Sequence, residues 1–268
     1  MEGKKLAVLQ SSYMPWKGYF DIIHDVDLFL FYDEVQYTTR DWRSRNRIKT
    51  EHGLKWLTIP CGRDVKRMIY EVKLEKQDWQ KQHYNVLRQS YRNAPYYHKY
   101  DEFLRYVYLE TRWDYLYELN RFMIEHISRE YLGITTEFED SRNYHSSGRK
   151  AEKLFELVKD TNADVYISGP SAKDYMQLEM YEKAGIEVIW KDYQGYPEYE
   201  QLHGAFCHNV SILDLLFHTG DEAPYYILDI SYGLLHYLGD RTFNHCSERL
   251  FGTGNYSKRD YWHSAAYL

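Results

Sequence analysis

The 268-residue chain lacks the short motifs that mark several common classes of enzyme. It has no Walker loop, no Gly-x-Gly-x-x-Gly and no Gly-x-Ser-x-Gly, which argues against the usual NTP-hydrolysing, dehydrogenase and hydrolase sites. Its three cysteines, Cys61, Cys207 and Cys246, have neither paired nor metal-ligand spacing. We therefore predict no metal site and a reducing compartment. No residue pattern identifies a cofactor.

Long apolar runs and an overall basic charge are also missing. No apolar run reaches membrane-spanning length and no signal peptide is recognisable, so we expect a cytoplasmic protein without a membrane partner. The net charge of −6 argues against a general nucleic-acid-binding protein, because broad phosphate binding needs a basic face. The apolar fraction of 44% and the charged fraction of 28% are typical of a globular enzyme.

Apolar segments that alternate with helical patterns indicate the fold class. Short strands are predicted at residues 5–10, 27–32 and 55–60, and further strands after residue 134. This alternation favours an α/β fold, with a mainly parallel sheet flanked by helices. Later strands are predicted at residues 135–138, 164–168 and 186–191.

The middle of the chain has a different pattern, which bears on domain organisation. Long helical segments between residues 78 and 132 are interrupted by Asn93-Ala94-Pro95, so we predict a helical insert or subdomain there. We assign residues 1–220 to the α/β domain and residues 221–268 to a C-terminal extension of unknown role.

The densest charge feature is a basic cluster at residues 40–49, with five cations in ten residues. If this segment is extended, Arg43, Arg45, Arg47 and Lys49 share one face of a strand. Clustered guanidinium groups bind phosphates through paired hydrogen bonds. We therefore predict that the three arginines, together with Asn46, contact an anionic substrate. The alternative is a solvated edge strand whose charges prevent aggregation.

Polar residues follow the first two predicted strands, at the edge where parallel sheets bind ligands. After the first strand, we predict that Gln10, Tyr13 and Trp16 line a pocket, although an ordinary turn with aromatic residues in the core would also explain them. After the second strand, Tyr37 is a further candidate for binding. Asp33 is the candidate general base, provided that burial or a like charge raises its pKa.

A third strand exit, at residues 168–175, adds four candidate binding residues. Ser168 and Gly169 end the strand, and Gly169 allows a ligand to approach the backbone closely. Ser171 and Asp174 have the spacing of a helix capping box, which would explain both without any ligand.

Five motifs together resemble those of the WbqC-like protein family. They are QSSYMPWKGY at residues 10–19, YDEVQY at 32–37, RNRIK at 45–49, WLTIP at 56–60 and YISGPSAKDY at 166–175. The resemblance covers about residues 5–220 in the right order. It implies a bacterial cytoplasmic protein associated with O-antigen and other surface-polysaccharide synthesis, with a suggested glycine (aminoacyl) transferase role on an amino sugar.

These observations lead to one main hypothesis and two alternatives. The main hypothesis is a transferase that moves an aminoacyl, acyl or related group to an amine or hydroxyl of a phosphorylated or nucleotide-linked substrate. One alternative is a nucleotidyl transferase, or a transferase that modifies a base in DNA, for which nucleic acid would be the partner. The other is a non-catalytic binding protein in a biosynthetic complex. The sequence leaves oligomer formation open.

Overall fold

A computed structural model describes residues 3–74, 78–174 and 176–227 of the protein. Residues up to Ile227 form one compact unit. The predicted C-terminal extension therefore lies mostly outside the described residues. The strands are β1 (Lys5–Leu9), β2 (Leu28–Phe31), β3 (Arg45–Thr50), β4 (Gly53–Thr58), β5 (Glu137–Asp140), β6 (Val165–Ser168) and β7 (Glu187–Trp190).

Helices cover the strands and fill the middle of the chain. The α-helices are α1 (Lys17–His24), α2 (Asp78–Tyr91), α3 (Tyr97–Arg105), α4 (Leu116–His126), α5 (Ala151–Asp160), α6 (Leu178–Lys183) and α7 (Ile212–Thr219). A π-helical turn continues each of α3 and α4, through Tyr106–Glu110 and Ile127–Tyr131. Within the described ranges, no helix combines the length and the apolar character needed to cross a bilayer.

Five strands form one parallel sheet in the order β5-β2-β1-β6-β7, which confirms the predicted α/β fold. The chain moves outward from the central strand β1 to β2 and β5, then returns to the other side of β1 for β6 and β7. The winding direction therefore reverses between β1 and β6. Ligands of open parallel sheets bind beyond the carboxyl ends of the strands at such a reversal.

Side chains alternate between the two faces of the sheet, and on β2 both faces are buried. On β2, Phe29 and Phe31 point to one face, where their ring centroids lie 5.8 and 5.6 Å from that of Phe138 on β5. Leu28 and Leu30 point to the other face, where they join a cluster with residues of β1, β6 and α5. This packing fixes the strand ends that carry the polar residues.

Strands β3 and β4 form a separate antiparallel hairpin, in which Arg47 lies opposite Trp56. The prediction that residues 55–60 add a strand to the main sheet is therefore wrong. The physical reason is the connection between Thr50 and Gly53, which has only two residues. Antiparallel strands can be joined so tightly, whereas parallel strands need a crossover of a dozen residues or more.

Candidate substrate-binding site

A network of charged side chains lies at the carboxyl ends of β1, β2 and β5. Asp33 follows β2 and has no exposed side-chain surface. Its Oδ1 accepts a hydrogen bond from the Ser11 amide at 2.8 Å, and its Oδ2 accepts one from Arg121 Nε at 2.8 Å. Arg121 also bonds Asp140, which ends β5 and pairs with Arg142. The Arg121 guanidinium, from α4, thus connects the exits of β2 and β5, and the Asp33 carboxylate adds the exit of β1.

The buried position of Asp33 argues against its predicted role as general base. Each carboxylate oxygen already accepts a hydrogen bond, and the group has no surface from which to reach a substrate proton. A catalytic base must lie within hydrogen-bond reach of the proton that it removes. We therefore describe Asp33 as a positioning residue, which orients Arg121 and the backbone amide of Ser11.

Arg43 extends the network across the carboxyl end of β1. Its Nη1 donates to Gln10 Oε1 at 2.5 Å and its Nη2 pairs with Asp41 at 3.0 Å. The hydroxyl of Tyr19 donates to the carbonyl of Gln10 at 2.9 Å. Burial raises the pKa of Tyr19 well above its usual value, and Asp33, Arg43 and Arg121 all act on it electrostatically. The phenol of Tyr19 therefore lies close to Arg43 and also to the Asp33–Arg121 pair.

Several buried polar atoms in and beside this network have no hydrogen-bond partner in the part of the chain that the structure describes. They are Ser11 Oγ, Arg43 Nε, Arg47 Nε, Asn120 Oδ1, Arg121 Nη2 and Ser141 Oγ. Asn120 connects two of these positions, because its Nδ2 donates to the Arg43 carbonyl at 2.9 Å and lies 3.4 Å from that of Ser11. A buried polar group without a partner costs about 1–3 kcal/mol. A polar ligand that supplied the missing bonds would recover this cost.

The predicted arginine row continues from Arg43 onto the hairpin. Arg45 and Arg47 lie on one face of β3, and neither guanidinium group forms an ion pair with a described residue. The Arg45 guanidinium carbon lies 4.1 Å from the centroid of the Trp56 ring, and that of Arg47 lies 5.4 Å from it. The Trp42 ring lies 5.4 Å from the Trp56 ring, and the two residues are 44% and 40% exposed.

Lys49 does not belong to this row, although the alternation of side chains predicted it. The residue is buried, and its ammonium donates to Gln201 Oε1 at 2.9 Å and to the Ala205 carbonyl at 2.6 Å. The segment after residue 200 therefore covers this end of β3. The cationic row therefore consists of the half-buried Arg43, Arg45 and Arg47.

Three predicted binding residues are part of the core instead. Tyr13 is fully buried, and its hydroxyl is 2.8 Å from His83 Nδ1 and 2.6 Å from the hydroxyl of Tyr108. Tyr37 is 2% exposed and donates to Ser44 Oγ at 3.2 Å. Asn46 is 3% exposed, because its side chain binds the backbone of the loop after β1. None of the three presents a side chain to a ligand.

Asn46 has a structural task that explains its position between two arginines. Its Nδ2 donates to the carbonyls of Tyr13 and Met14, at 3.2 and 2.6 Å, and its Oδ1 accepts from the Arg47 amide. Met14 has a positive φ of 43°, which is uncommon for a residue other than glycine. Asn46 therefore ties the hairpin to the strained loop that carries Gln10.

Trp16 and the exit of β6 form the other side of the sheet edge. The Trp16 ring is half-buried and packs edge-on against Tyr193 and Tyr196, with centroids 5.2 and 6.2 Å apart. Ser168 is buried and Gly169 is half-buried at the end of β6. Because β6 is paired with β1, these residues lie on the same sheet edge as Gln10.

Ser171 and Asp174 lie in a 3-10 turn over Pro170–Asp174, and both are exposed. Ser171 is inside this turn and does not precede an α-helix. Neither side chain has a hydrogen bond to another described residue. Their predicted roles, in binding or in a capping box, therefore receive no support from contacts in the structure.

Sequence analysis missed Asn120, Arg121 and Asp140. Asn120 lies on the buried face of α4 together with Leu116 and Met123, and a polar residue at such a position is a detectable signal. Arg121 follows it directly, and Asp140 ends a strand that was predicted two residues too early. Only the pairing of β5 with β2 brings Asp140 next to Asp33.

Comparisons with known proteins agree with the motif pattern. The model of the WbqC-like protein family matches residues 10–226, a span that includes all residues of the candidate site. An uncharacterized protein of Mycobacterium tuberculosis (strain ATCC 25618 / H37Rv), Rv1507c, is 44% identical over 227 residues, which are 84% of this chain and 97% of that relative. No solved structure matches the chain. The chain therefore belongs to the WbqC-like protein family.

Proposed function

We propose that the sheet edge binds a phosphorylated or nucleotide-linked small molecule, such as an amino sugar, and that the protein is a transferase acting on it. The observation that supports this proposal is the set of buried N–H groups without partners, Arg43 Nε, Arg47 Nε and Arg121 Nη2. Phosphate oxygens accept hydrogen bonds from several guanidinium N–H groups at once, with directed geometry.

Charge distribution indicates where the phosphate would lie. Within the network at the strand ends, the carboxylates of Asp33, Asp41 and Asp140 pair with Arg121, Arg43 and Arg142. On the hairpin, Arg45 and Arg47 have no such compensation from the described residues. We place the phosphate along Arg43, Arg45 and Arg47, and the remainder of the molecule at the carboxyl end of β1, beside Gln10.

The transfer would depend on orientation and on charge stabilisation. The nitrogen or oxygen of the acceptor forms a bond to an activated carbonyl or phosphate-bearing carbon, the leaving group departs with the electron pair, and the proton passes to solvent. The arginines would stabilise the negative charge that develops. Asp140 is unsuited to the role of base. Burial alone would raise its pKa, but hydrogen bonds from Arg142 and Arg121 outweigh burial and lower the pKa to about 2.

Titration with a nucleotide sugar tests the binding site. We expect Arg43→Gln and Arg47→Gln each to weaken binding about tenfold or more, because a hydrogen bond to a charged group contributes about 1.5–3 kcal/mol. Arg63→Gln is the matched control, since Arg63 is exposed and lies outside the site. Affinities that both site variants leave unchanged would contradict the proposal.

Mass spectrometry of products tests the transferase reaction separately. The protein is incubated with an activated donor and with amine or hydroxyl acceptors, and the mass of the acceptor is followed. Binding that depends on the arginines, without turnover of any donor, would support a non-catalytic binding protein instead.

The exposed tryptophans favour one second candidate, a transferase that acts on a nucleotide or on a base in DNA. Trp42 and Trp56 form an aromatic surface beside Arg45 and Arg47, and bases stack on such surfaces next to arginines. Binding of single-stranded DNA that falls steeply with salt, and that Trp56→Ala weakens at least tenfold, would support this candidate. The nucleotide-sugar proposal expects no such binding.

A further inference from the structure

A second cationic cleft lies between helices α2 and α3, away from the sheet edge. Its volume is about 370 Å³, which is within the range of pockets that bind small molecules. Arg92 and Asn93, in the short connection between the two helices, are among its lining residues. The lining residues are Tyr84, Arg88, Arg92, Asn93, Tyr97, His98, Asp101 and Arg105.

The charges of the cleft are strongly unbalanced. Three arginines face one carboxylate, which leaves two positive charges before His98 is counted. Arg88, on α2, and Arg92, directly after it, are four residues apart and form no ion pair with any described residue. Arg105, on α3, interacts with the side chain of Tyr84, and its Nε lies 3.8 Å from Glu110 Oε1. The cleft is therefore positively charged, although the protein as a whole has a net charge of −6.

Two tyrosine hydroxyls hold the single carboxylate that lines the cleft. Asp101 Oδ1 accepts hydrogen bonds from the hydroxyls of Tyr84 and Tyr97, at 3.0 and 2.9 Å. Both tyrosines are buried. Asp101 forms no ion pair with these arginines within the described residues, and both hydroxyl bonds go to its Oδ1.

We propose that this cleft is a second anion site, which binds a compact ligand with at least two negative charges, such as a diphosphate group. Guanidinium groups from α2 and α3 would contact the oxygens from both sides. The small volume favours a compact anion over an extended polymer. The site has no residue in common with the site of the proposed function.

Calorimetric titration with inorganic pyrophosphate tests the proposal in a background that removes the other site. We use the full chain with Arg43→Gln and Arg47→Gln, and follow the His98 imidazole signals by NMR in the same titration. The expected result is saturable binding that shifts these signals. Adding Arg88→Gln and Arg92→Gln should weaken it at least tenfold. Arg112→Gln, an exposed arginine outside the cleft, should leave it unchanged.

Three results would overturn the proposal. The first is pyrophosphate binding that the Arg88→Gln/Arg92→Gln pair does not weaken. The second is the absence of saturable binding in the Arg43→Gln/Arg47→Gln background, which would assign all anion binding to the sheet edge. The third is a single-stranded oligonucleotide that binds the cleft more tightly than pyrophosphate. Circular dichroism of each variant confirms that the helices are retained, and Arg88→Lys, which keeps the charge, provides a second variant should Arg88→Gln unfold.

Discussion

Replacing Asp33 with asparagine separates a positioning role from a role as general base. Asparagine keeps an oxygen for the Ser11 amide, but its NH2 group then faces Arg121 Nε, which is also a donor. Removing one partner of a buried ion pair typically costs about 3–5 kcal/mol. Arg121 is only 13% exposed and retains Asp140, so we expect a loss near the lower limit, about 3 kcal/mol.

Urea denaturation followed by tryptophan fluorescence measures this loss directly. A loss of about 3 kcal/mol corresponds to a melting temperature lower by roughly 6–12 °C for a protein of this size. Asp174→Asn is the matched control, because Asp174 is exposed and forms no hydrogen bond with a described residue. We expect less than about 0.5 kcal/mol for it.

The outcome that would refute this reasoning is a small loss of stability. If Asp33→Asn lowers the free energy of unfolding by less than about 1 kcal/mol, the Asp33–Arg121 pair does not organise the strand ends as we argue. If stability is kept while turnover of an identified substrate is lost, Asp33 acts in the reaction itself, and the general-base prediction should be restored.

Three further predictions concern the stability in acid, the contacts of Asn46 with the loop after β1, and the packing of Trp16. The pKa of Asp140 is about 2, below its usual value near 4, because of its hydrogen bonds with Arg142 and Arg121. These bonds contribute stability above pH 4 that is lost as the pH falls to 2. Asp140→Asn should flatten this part of the curve of unfolding free energy against pH, measured by urea titration at each pH. Asn46→Ala should lower the free energy of unfolding by about 1–3 kcal/mol, because two buried carbonyls lose their donor; a loss below 0.5 kcal/mol would contradict its role in the loop. Gly18→Ala should displace the Trp16 ring, since a Cβ there would lie 2.4 Å from Trp16 Cζ2, and near-ultraviolet circular dichroism should change. Gly169→Ala should leave that spectrum unaltered, because the nearest neighbour of its Cβ lies at 3.6 Å.

The site was predictable where the residues are neighbours in sequence and was not where they meet through the sheet. Gln10 and Arg43 were identified from local patterns, a strand exit and a row of cations. Arg121 and Asp140 belong to segments about 80 to 100 residues further along the chain. Their contacts depend on the pairing of β5 with β2 and on the packing of α4 across the strand ends.

Burial, and not composition, determines whether an aromatic residue lies in the core or lines a pocket. Tyr13 and Tyr37 have the same side chain as a tyrosine that lines a pocket, and both stand in polar motifs. In the structure, each hydroxyl finds a buried partner, and the ring fills the core. A phenol suits either environment, so only the surrounding elements decide which one it occupies.

The sequence by itself determined the α/β class, the buried strands, the helical middle and the basic cluster, because these depend on periodicity and on neighbouring residues. Only the tertiary structure decided that β3 and β4 leave the main sheet, that Lys49 turns inward and that Asp33 is bound on both oxygens. These outcomes follow from contacts between segments that are distant in the chain, for which local patterns carry no information. The same reason explains the cleft between α2 and α3, whose arginines stand together because two helices pack side by side.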